Sequence, residues 1–337
     1  MQILEPTILD PTALLQRIRA LVADDLTAID RLMQEELSSS VPLTREITQH
    51  IFKNKGKQLR PLLMALTAHA VTNRNTLEKK HYELAIVIEF VHTATLLHDD
   101  VVDHSELRRG QHTANVTWGN AASVLVGDFL YSRAFQILAR HTYPDIMRIL
   151  SETTNAIAEG EVLQLMNQHD AELTEENYFH VITQKTAQLF SAASEIGALL
   201  EHAPIEIQKA MAHYGLQLGI IFQIIDDLLD YEISSDITGK NRGDDLNEGK
   251  ATLPLIYAMQ HTIPEKADII RNAVKNNSAH QLDVIVKILH ETDALIMARK
   301  KAEEKAQLAL HALTAIPNSV YRRALEELVV FAAQRNY

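Results

Sequence analysis

Cysteine is absent from the chain, and glycine and proline are scarce, with 11 and 9 of 337 residues. Without cysteine, disulfides, thiolate metal sites and thiol nucleophiles are excluded. Few glycines and prolines leave few places for tight turns, which disfavours a fold of many short strands and favours long helices. Aromatic residues make up only 5% of the chain although hydrophobic residues make up 46%, so we expect a large core of mostly aliphatic side chains.

An excess of positive charge and a long apolar run are also missing. The formal net charge is −12, which argues against nonspecific binding to nucleic acid. The most apolar stretch, residues 84–97, contains Glu89 and His92 and is too short to span a membrane. The first residues include no basic segment, unlike a secretory signal. We therefore expect a soluble, cytoplasmic protein with no nucleic-acid partner.

Apolar residues recur at spacings of three and four, which predicts amphipathic helices along almost the whole chain. No linker, repeat or low-complexity segment divides it, so we expect one all-α domain over residues 1–337. A polar loop is expected at 104–115, and the longest irregular stretch at 233–249. The predicted helices span residues 11–37, 61–72, 79–100, 119–140, 145–168, 174–201, 205–232, 251–260, 265–275, 281–313 and 318–334.

Two segments share one acidic pattern. Residues 99–103 read Asp-Asp-Val-Val-Asp, and residues 226–230 read Asp-Asp-Leu-Leu-Asp. On a helix, positions four apart share a face, so each segment presents two mutually repelling carboxylates on one side. Apolar neighbours make bare charges there costly as well. Mg²⁺, which prefers oxygen ligands, would relieve both problems; the alternative is a pair of solvated acidic helix ends.

Short basic segments accompany the acidic ones. Residues 56–61 read Gly-Lys-Gln-Leu-Arg-Pro at a predicted helix start, and residues 108–110 read Arg-Arg-Gly just after the first acidic segment. Lys185 lies inside a predicted helix, and Lys240 and Lys250 border the irregular stretch. Each alone could be a helix cap or a solvated charge. Together they fit two diphosphate groups, one held through Mg²⁺ and one held by Arg and Lys alone.

These segments resemble the trans-isoprenyl diphosphate synthases. Residues 96–103 followed by 108–110 are similar to the first aspartate-rich motif of that family, residues 222–230 to the second, and residues 239–254 to the loop after it. The resemblance extends over about residues 30–335 and includes the segment 158–165. One departure is Lys55, where the family often has glycine. The resemblance implies a large helical bundle of the isoprenoid synthase type with a central active-site cavity.

The resemblance also implies a reaction of ionisation, condensation and elimination. Its implied metal ligands, for three Mg²⁺ ions, are Asp99, Asp100, Asp103, Asp226 and Asp230. Its implied isopentenyl diphosphate site comprises Lys57, Arg60, His92 and Arg109. Its implied allylic diphosphate site comprises Arg108, Lys185, Thr186, Gln223 and Lys240, with Thr186 and Gln223 facing the cation. A homodimer and a transient membrane contact for product release are expected from the same likeness.

The length of the product can be argued from the helix that carries the first acidic segment. Ala94 and Thr95 precede Asp99 by five and four residues, about one helical turn. A bulky side chain there would close a tunnel early, and alanine leaves it open, so we expect more than fifteen to twenty carbons. The overall resemblance favours eight isoprene units, for a ubiquinone side chain, starting from farnesyl diphosphate. Geranylgeranyl, heptaprenyl and solanesyl products remain alternatives.

Four other functions are compatible with parts of the pattern. An HD-type phosphohydrolase would use His98 with Asp99 but leaves the second acidic segment unexplained. A di-iron bundle needs two Glu-x-x-His helices that face each other, and the matching residues here adjoin in sequence. A terpene cyclase would need no isopentenyl site. A non-catalytic partner subunit should have lost aspartates, whereas all six are present.

Overall fold

The computed structural model describes residues 10–53, 56–72, 76–232 and 243–335. Five helices come first along the chain. Each of α1, α3 and α4 has a proline within its first three positions, where the missing N–H costs little. Their bounds are α1 Pro11–Ala20, α2 Ala23–Glu36, α3 Pro42–Lys53, α4 Leu59–Thr72 and α5 Lys79–Val102.

A two-residue hairpin, β1 Leu107–Arg108 and β2 Gln111–His112, separates α5 from the next helices. Arg109 and Gly110 make its turn with φ of 54° and 73°, the pair of left-handed residues that such tight hairpins need. The elements that follow are α6 Ala114–Trp118, α7 Asn120–Leu138, α8 Pro144–Met166, α9 Glu175–Ile182, a π-helical turn Thr183–Ala187, α10 Gln188–Leu200 and α11 Ile205–Glu232.

The last part of the described chain is also helical. Its helices are α12 Asp244–Asn247, α13 Leu253–His261, α14 Pro264–Asn276, α15 Leu282–Glu291, α16 Ala294–Ala312 and α17 Val320–Gln334. Short 3₁₀ turns, Ala279–Gln281 and Leu313–Ala315, precede α15 and follow α16.

The structure divides two helices that were predicted as continuous. The predicted helix 11–37 breaks where Val22 leaves the helical region, with φ of −129°. The predicted helix 281–313 breaks at Asp293, which adopts φ of 54°. Aspartate tolerates this left-handed conformation better than most residues, so the break is chemically mild. Both breaks reorient an apolar face without interrupting its period, which is why periodicity alone missed them.

Helix α11 lies at the centre of the fold. It packs along α10 and α16, while α5 packs along α7 and touches α4. Buried apolar side chains form one contiguous cluster across these helices, and the single-domain organisation stays a prediction. Within the described ranges, no helix combines the length and the hydropathy needed to cross a bilayer. The cytoplasmic location stays a prediction.

Glycines allow helix backbones to touch where the central cavity forms. A Cβ on Gly215 of α11 would lie 2.3 Å from the carbonyl oxygen of Phe190 in α10. A Cβ on Gly160 of α8 would lie 2.6 Å from the backbone nitrogen of Lys185. Real Cβ atoms do not approach so closely, so these two crossings require glycine.

We predict that Gly215→Ala lowers the free energy of unfolding by about 1–3 kcal/mol. The added methyl group would collide with the backbone of Phe190, which cannot rotate away as a side chain can. The sign is diagnostic, because Gly→Ala inside a helix otherwise gains about 1 kcal/mol. Urea unfolding followed by circular dichroism measures it. Gly127→Ala is the matched control, because its Cβ would meet only the side chain of His98, which can rotate. Unchanged or greater stability of Gly215→Ala would contradict the close crossing.

Candidate active site

A cavity of about 890 Å³ opens between the helices, bounded by the start of α4, the second half of α5, α8, α9, the π-helical turn and α11. The loop between α12 and α13 and the segment after α17 complete it. Both acidic segments reach this cavity, because α5 and α11 end at its mouth. The first basic segment lies across from them, at the start of α4.

In the first acidic segment, Asp99 and Asp103 line the cavity, as their four-residue spacing predicts. Asp100 lies on another face and is buried. Its Oδ1 accepts hydrogen bonds from the guanidinium of Arg108, at 2.8 Å from Nε and 2.7 Å from the terminal nitrogen. Burial raises the pKa of the Asp100 carboxyl, and Arg108 opposes that shift. Asp100 thus anchors Arg108 on the cavity wall.

In the second acidic segment, Asp226 faces the cavity and pairs with Arg335 at 2.5 Å. Asp227 is buried and accepts from the Tyr178 hydroxyl at 2.6 Å and the Gln223 amide at 2.8 Å. Burial raises the pKa of the Asp227 carboxyl, and both hydrogen bonds oppose the rise. Asp230 is not among the lining residues.

The Asp230 carboxylate instead binds the start of α12. It accepts backbone N–H groups of Gly243, Asp244 and Asp245 at 3.2, 3.1 and 3.3 Å. A carboxylate at a helix N-terminus satisfies free donors and complements the helix dipole. Asp230 thereby ties the loop after α11 to the end of that helix.

Three carboxylates therefore face one space from two helices: Asp99, Asp103 and Asp226. Across the described parts of the chain, no three acidic or histidine side chains converge closely enough to hold an ion by themselves. Oxygen ligands from few carboxylates, completed by phosphate oxygens and water, are what Mg²⁺ takes. The residues fit Mg²⁺ that shares its coordination with a bound phosphate group.

Two lysines lie against the first pair of carboxylates. Lys185 Nζ is 3.5 Å from Asp99 and 2.6 Å from Glu161, and Lys250 Nζ is 3.1 Å from Asp103 and also contacts Glu248. The amide oxygen of Gln164 faces both ammonium groups, at 3.2 and 3.3 Å. Burial raises the pKa values of Glu161 and Glu248 to about 7. The sequence placed Lys250 among the cations that together fit two diphosphate groups, and its pairing with Asp103 is a structural finding.

The other side of the cavity carries a cluster of cations. Lys57, Arg60 and Arg109 line it together with His92. The Arg60 guanidinium lies 4.3 Å from the centre of the Phe190 ring. Gly56 allows Arg109 to approach, because a Cβ there would lie 2.2 Å from the guanidinium.

Burial, with repulsion from neighbouring cations, lowers the pKa values of these groups. Loss of solvation, with repulsion from Arg335 and Arg109, lowers the pKa of Lys57 to about 8. Burial lowers the pKa of Arg60 to about 10. The pKa of His92 falls well below its usual value, from burial first and then Arg60 and Arg109, so its imidazole is neutral at pH 7. A cluster of this kind is electrostatically prepared for an anion.

Glu89 and Arg335 are cavity residues that the sequence did not identify as such. Glu89, one turn before His92 on α5, is buried, and its Oε2 has no hydrogen-bond partner. Arg335 donates to the Phe222 carbonyl at 2.6 Å and stacks on the Phe222 ring at 4.0 Å. No short motif surrounds either residue. A lone Glu in an apolar helix and a lone Arg after the last helix are common in sequences, so neither gave a signal of function.

Thr186 and Gln223 both line the cavity, and Thr186 Oγ1 donates to Gln223 Oε1 at 2.9 Å. Lys240 lies outside the described residues. Thr95 lines the cavity, whereas Ala94 is fully buried and does not. The reason is helical geometry: Thr95 is four residues before Asp99 and shares its face, while Ala94 is five residues before it.

A helical cavity that combines carboxylates suited to Mg²⁺ with arginines and lysines is typical of an enzyme that acts on diphosphate esters. The chain belongs to the polyprenyl synthetase family, whose profile matches residues 41–291. It is 46% identical over 323 residues to the octaprenyl diphosphate synthase of Escherichia coli (strain K12), covering 96% of this chain and 99% of that one.

Two further relatives extend the comparison. The chain is 44% identical over 320 residues to the all-trans-nonaprenyl-diphosphate synthase (geranyl-diphosphate specific) of Rhodobacter capsulatus, covering 95% of this chain and 98% of that one. A polyprenyl synthase from Caulobacter crescentus, solved with calcium and isoprenyl diphosphate, superposes with a TM-score of 0.91 at 39% identity, covering 96% and 98% of the two chains.

These findings confirm the all-α fold and the family resemblance. The chain is a long-chain trans-prenyltransferase. The HD-type phosphohydrolase, the di-iron bundle and the terpene cyclase are therefore set aside.

The pKa of Lys57 predicts how anion binding depends on pH. Below about pH 8 the ammonium is charged, and at pH 9 only about a tenth of it remains so. The affinity for inorganic pyrophosphate is measured by calorimetry without metal at pH 7 and at pH 9. We expect the fall in affinity between these two pH values to be up to about tenfold larger in the wild type than in Lys57→Arg. Arginine stays charged over this range, so the comparison with Lys57→Arg cancels the effect of the titration of pyrophosphate itself. Parallel pH curves for the two proteins would show that Lys57 does not titrate there.

Proposed function

We propose that the chain condenses isopentenyl diphosphate onto farnesyl diphosphate, with Mg²⁺, to make all-trans-octaprenyl diphosphate. The observation that carries this proposal is that one cavity is lined both by Asp99, Asp103 and Asp226 and by Lys57, Arg60 and Arg109. Two diphosphates can lie there with their reactive carbons between them. Eight units are favoured by the likeness to the octaprenyl synthase, and the similar likeness to a nonaprenyl synthase makes nine the alternative.

On the allylic side, Asp99, Asp103 and Asp226 would hold Mg²⁺. Bound there, Mg²⁺ supplies charge stabilisation for the departing diphosphate. Lys185 and Lys250 reach the same space, so their ammonium groups bind diphosphate oxygens that replace their aspartate partners. Arg108, which Asp100 anchors, and Lys240 belong to this site in our proposal. The contacts of Asp100 and Asp230 favour a positioning role over metal binding, although both stay predicted ligands.

On the opposite side, Lys57, Arg60 and Arg109 bind the diphosphate of the isopentenyl substrate. Burial, and after it repulsion from neighbouring cations, lowers their pKa values, and a bound anion would offset both effects. His92 is neutral and lines the same wall, so it serves as a hydrogen-bonding group there. Glu89 places one buried carboxyl group among these cations.

The reaction follows from these positions. The C–O bond of the allylic diphosphate breaks, and Thr186 and Gln223 turn uncharged oxygens toward the allylic cation. The double bond of isopentenyl diphosphate attacks the cation and forms the new C–C bond. A proton then leaves the adjacent carbon for an oxygen of the released pyrophosphate, which restores a double bond. Uncharged oxygens stabilise the cation without capturing it, whereas a carboxylate would capture it.

A homodimer is part of the proposal. Large apolar side chains are exposed on the outer faces of α7 and α8, among them Leu125 at 66%, Leu165 at 55% and Met166 at 73%. Exposed apolar faces of this kind mark protein interfaces. The identity of the primer and a transient membrane contact for product release stay predictions.

The direct test is incubation of the chain with isopentenyl and farnesyl diphosphates in Mg²⁺, with product lengths read by mass spectrometry. A ladder that ends at eight isoprene units is expected. Absence of any elongated product from both farnesyl and geranyl diphosphates would overturn the proposal.

We predict that Asp99→Asn and Asp226→Asn each lower kcat by roughly 100-fold or more. Each substitution removes a carboxylate oxygen that would hold Mg²⁺, and Mg²⁺ would supply the positive charge that stabilises the leaving group. The fold should persist, since both carboxylates face the cavity. Asp145→Asn, an exposed position at the start of α8, is the control and should retain wild-type turnover. Near-wild-type activity of both cavity variants would show that the metal site is wrongly placed.

We predict that Ala94→Phe yields products of about fifteen to twenty carbons, because a ring added at a packed position closes the path of the tail. The cavity has the volume of a drug-sized pocket, so a tail of about forty carbons must extend beyond its present lining. Ala94 is the small side chain directly behind Thr95. Thr95→Val, which keeps the size of the side chain, should leave product length unchanged. Full-length product from Ala94→Phe at a normal rate would show that the tail takes another route.

A further inference from the structure

Four side chains form a continuous hydrogen-bonded chain along one wall of the cavity. The Tyr178 hydroxyl donates to Asp227 Oδ2 at 2.6 Å, and Gln223 Nε2 donates to Asp227 Oδ1 at 2.8 Å. Gln223 Oε1 in turn accepts from Thr186 Oγ1 at 2.9 Å. All four residues line the cavity. Tyr178 and Asp227, at one end, are 4% and 3% exposed, so that end is anchored in the core.

The chain has a direction, and Asp227 sets it. An amide presents donors on its nitrogen and acceptors on its oxygen, so binding Nε2 at Asp227 leaves Oε1 of Gln223 to face Thr186. The Thr186 hydroxyl must then donate its hydrogen bond to Gln223. Its oxygen lone pairs are left for the cavity.

Local backbone geometry holds Thr186 at this point. It lies in the π-helical turn Thr183–Ala187, where one extra residue turns Lys185 and Thr186 toward the cavity. Ala187, at the end of the turn, is fully buried against Gly219 of α11, where a Cβ would lie 2.6 Å from Cα of Ala187. The distance between Thr186 and Gln223 is thus set by two packed backbones rather than by flexible side chains.

We propose that Tyr178 and Asp227 are positioning residues that fix the Gln223 amide and so keep the Thr186 hydroxyl oxygen, not its proton, directed at the allylic cation. This inference rests on the proposed function, since it assigns a role toward the cation of that reaction. Tyr178 acts through two other side chains. Without its hydroxyl, the Asp227 carboxylate loses one of its two anchoring donors and can rotate, which frees the amide to turn.

The test is Tyr178→Phe, assayed with farnesyl and isopentenyl diphosphates. We expect kcat to fall about tenfold, with both Michaelis constants within about twofold of wild type, because the loss concerns the cation rather than either diphosphate. Tyr214→Phe is the matched control: Tyr214 is fully buried and donates to the Leu325 carbonyl at 2.7 Å, away from the cavity. Tyr214→Phe should retain wild-type kcat with a similar or greater loss of thermal stability.

A double-mutant cycle separates positioning from a general structural effect. In a Thr186→Val background, which has no hydroxyl to direct, Tyr178→Phe should lower kcat no further. In a Thr186→Ser background, which keeps a hydroxyl, the tenfold loss should return. Gln223→Met interrupts the chain one step nearer the cation, and it should show the same dependence on the residue at 186 even if Tyr178→Phe folds poorly.

The outcomes distinguish this inference from the function beneath it. A wild-type chain that makes no elongated product overturns both. A wild-type chain that elongates, together with a Tyr178→Phe variant of unchanged kcat, overturns the positioning role alone. Losses from Tyr178→Phe that multiply with those of Thr186→Val would also overturn it, because two independent effects combine in that way.

Discussion

Opposite charges confined in a cavity with little water must neutralise one another, and much of this structure follows from that constraint. Lys185 pairs with Asp99, Lys250 with Asp103, and Arg335 with Asp226. These pairs join the π-helical turn, the loop before α13 and the segment after α17 to the ends of α5 and α11. The charged residues of distant parts of the sequence therefore determine where the helices meet, and the meeting place is the active site.

The same pairing suits the proposed chemistry. A bound diphosphate can replace aspartate as the partner of each lysine, and a divalent cation can replace lysine as the partner of each aspartate. Ligand binding therefore exchanges ion-pair partners and leaves no charge without one. On the opposite wall Lys57, Arg60 and Arg109 lie close together, and burial, followed by repulsion from neighbouring arginines, lowers the pKa of Lys57 to about 8. The two walls thus differ in kind: one accepts an anion together with metal, and the other accepts an anion alone.

The sequence predicted most of the fold because the forces concerned are local. Scarce glycine and proline and a sustained helical period are sufficient to predict an all-α chain, and most predicted helices appear within a few residues of their bounds. The breaks at Val22 and Asp293 were missed because packing against neighbouring helices, not a change in periodicity, decides them. The π-helical turn was missed for the same reason, since its extra residue is stabilised by α8 and α11.

For the site, the sequence by itself determined which chemistry was available: repeated aspartates four residues apart, with Arg and Lys nearby, leave few functions other than metal-assisted binding of diphosphates. Tertiary structure decided which of those groups face each other. It turned Asp227 inward to Tyr178, bound Asp230 to α12 and brought Arg335 to Asp226. Helical spacing defines the face of a side chain within its own helix, but the rotation of that helix against its neighbours depends on the packing of residues hundreds of positions apart.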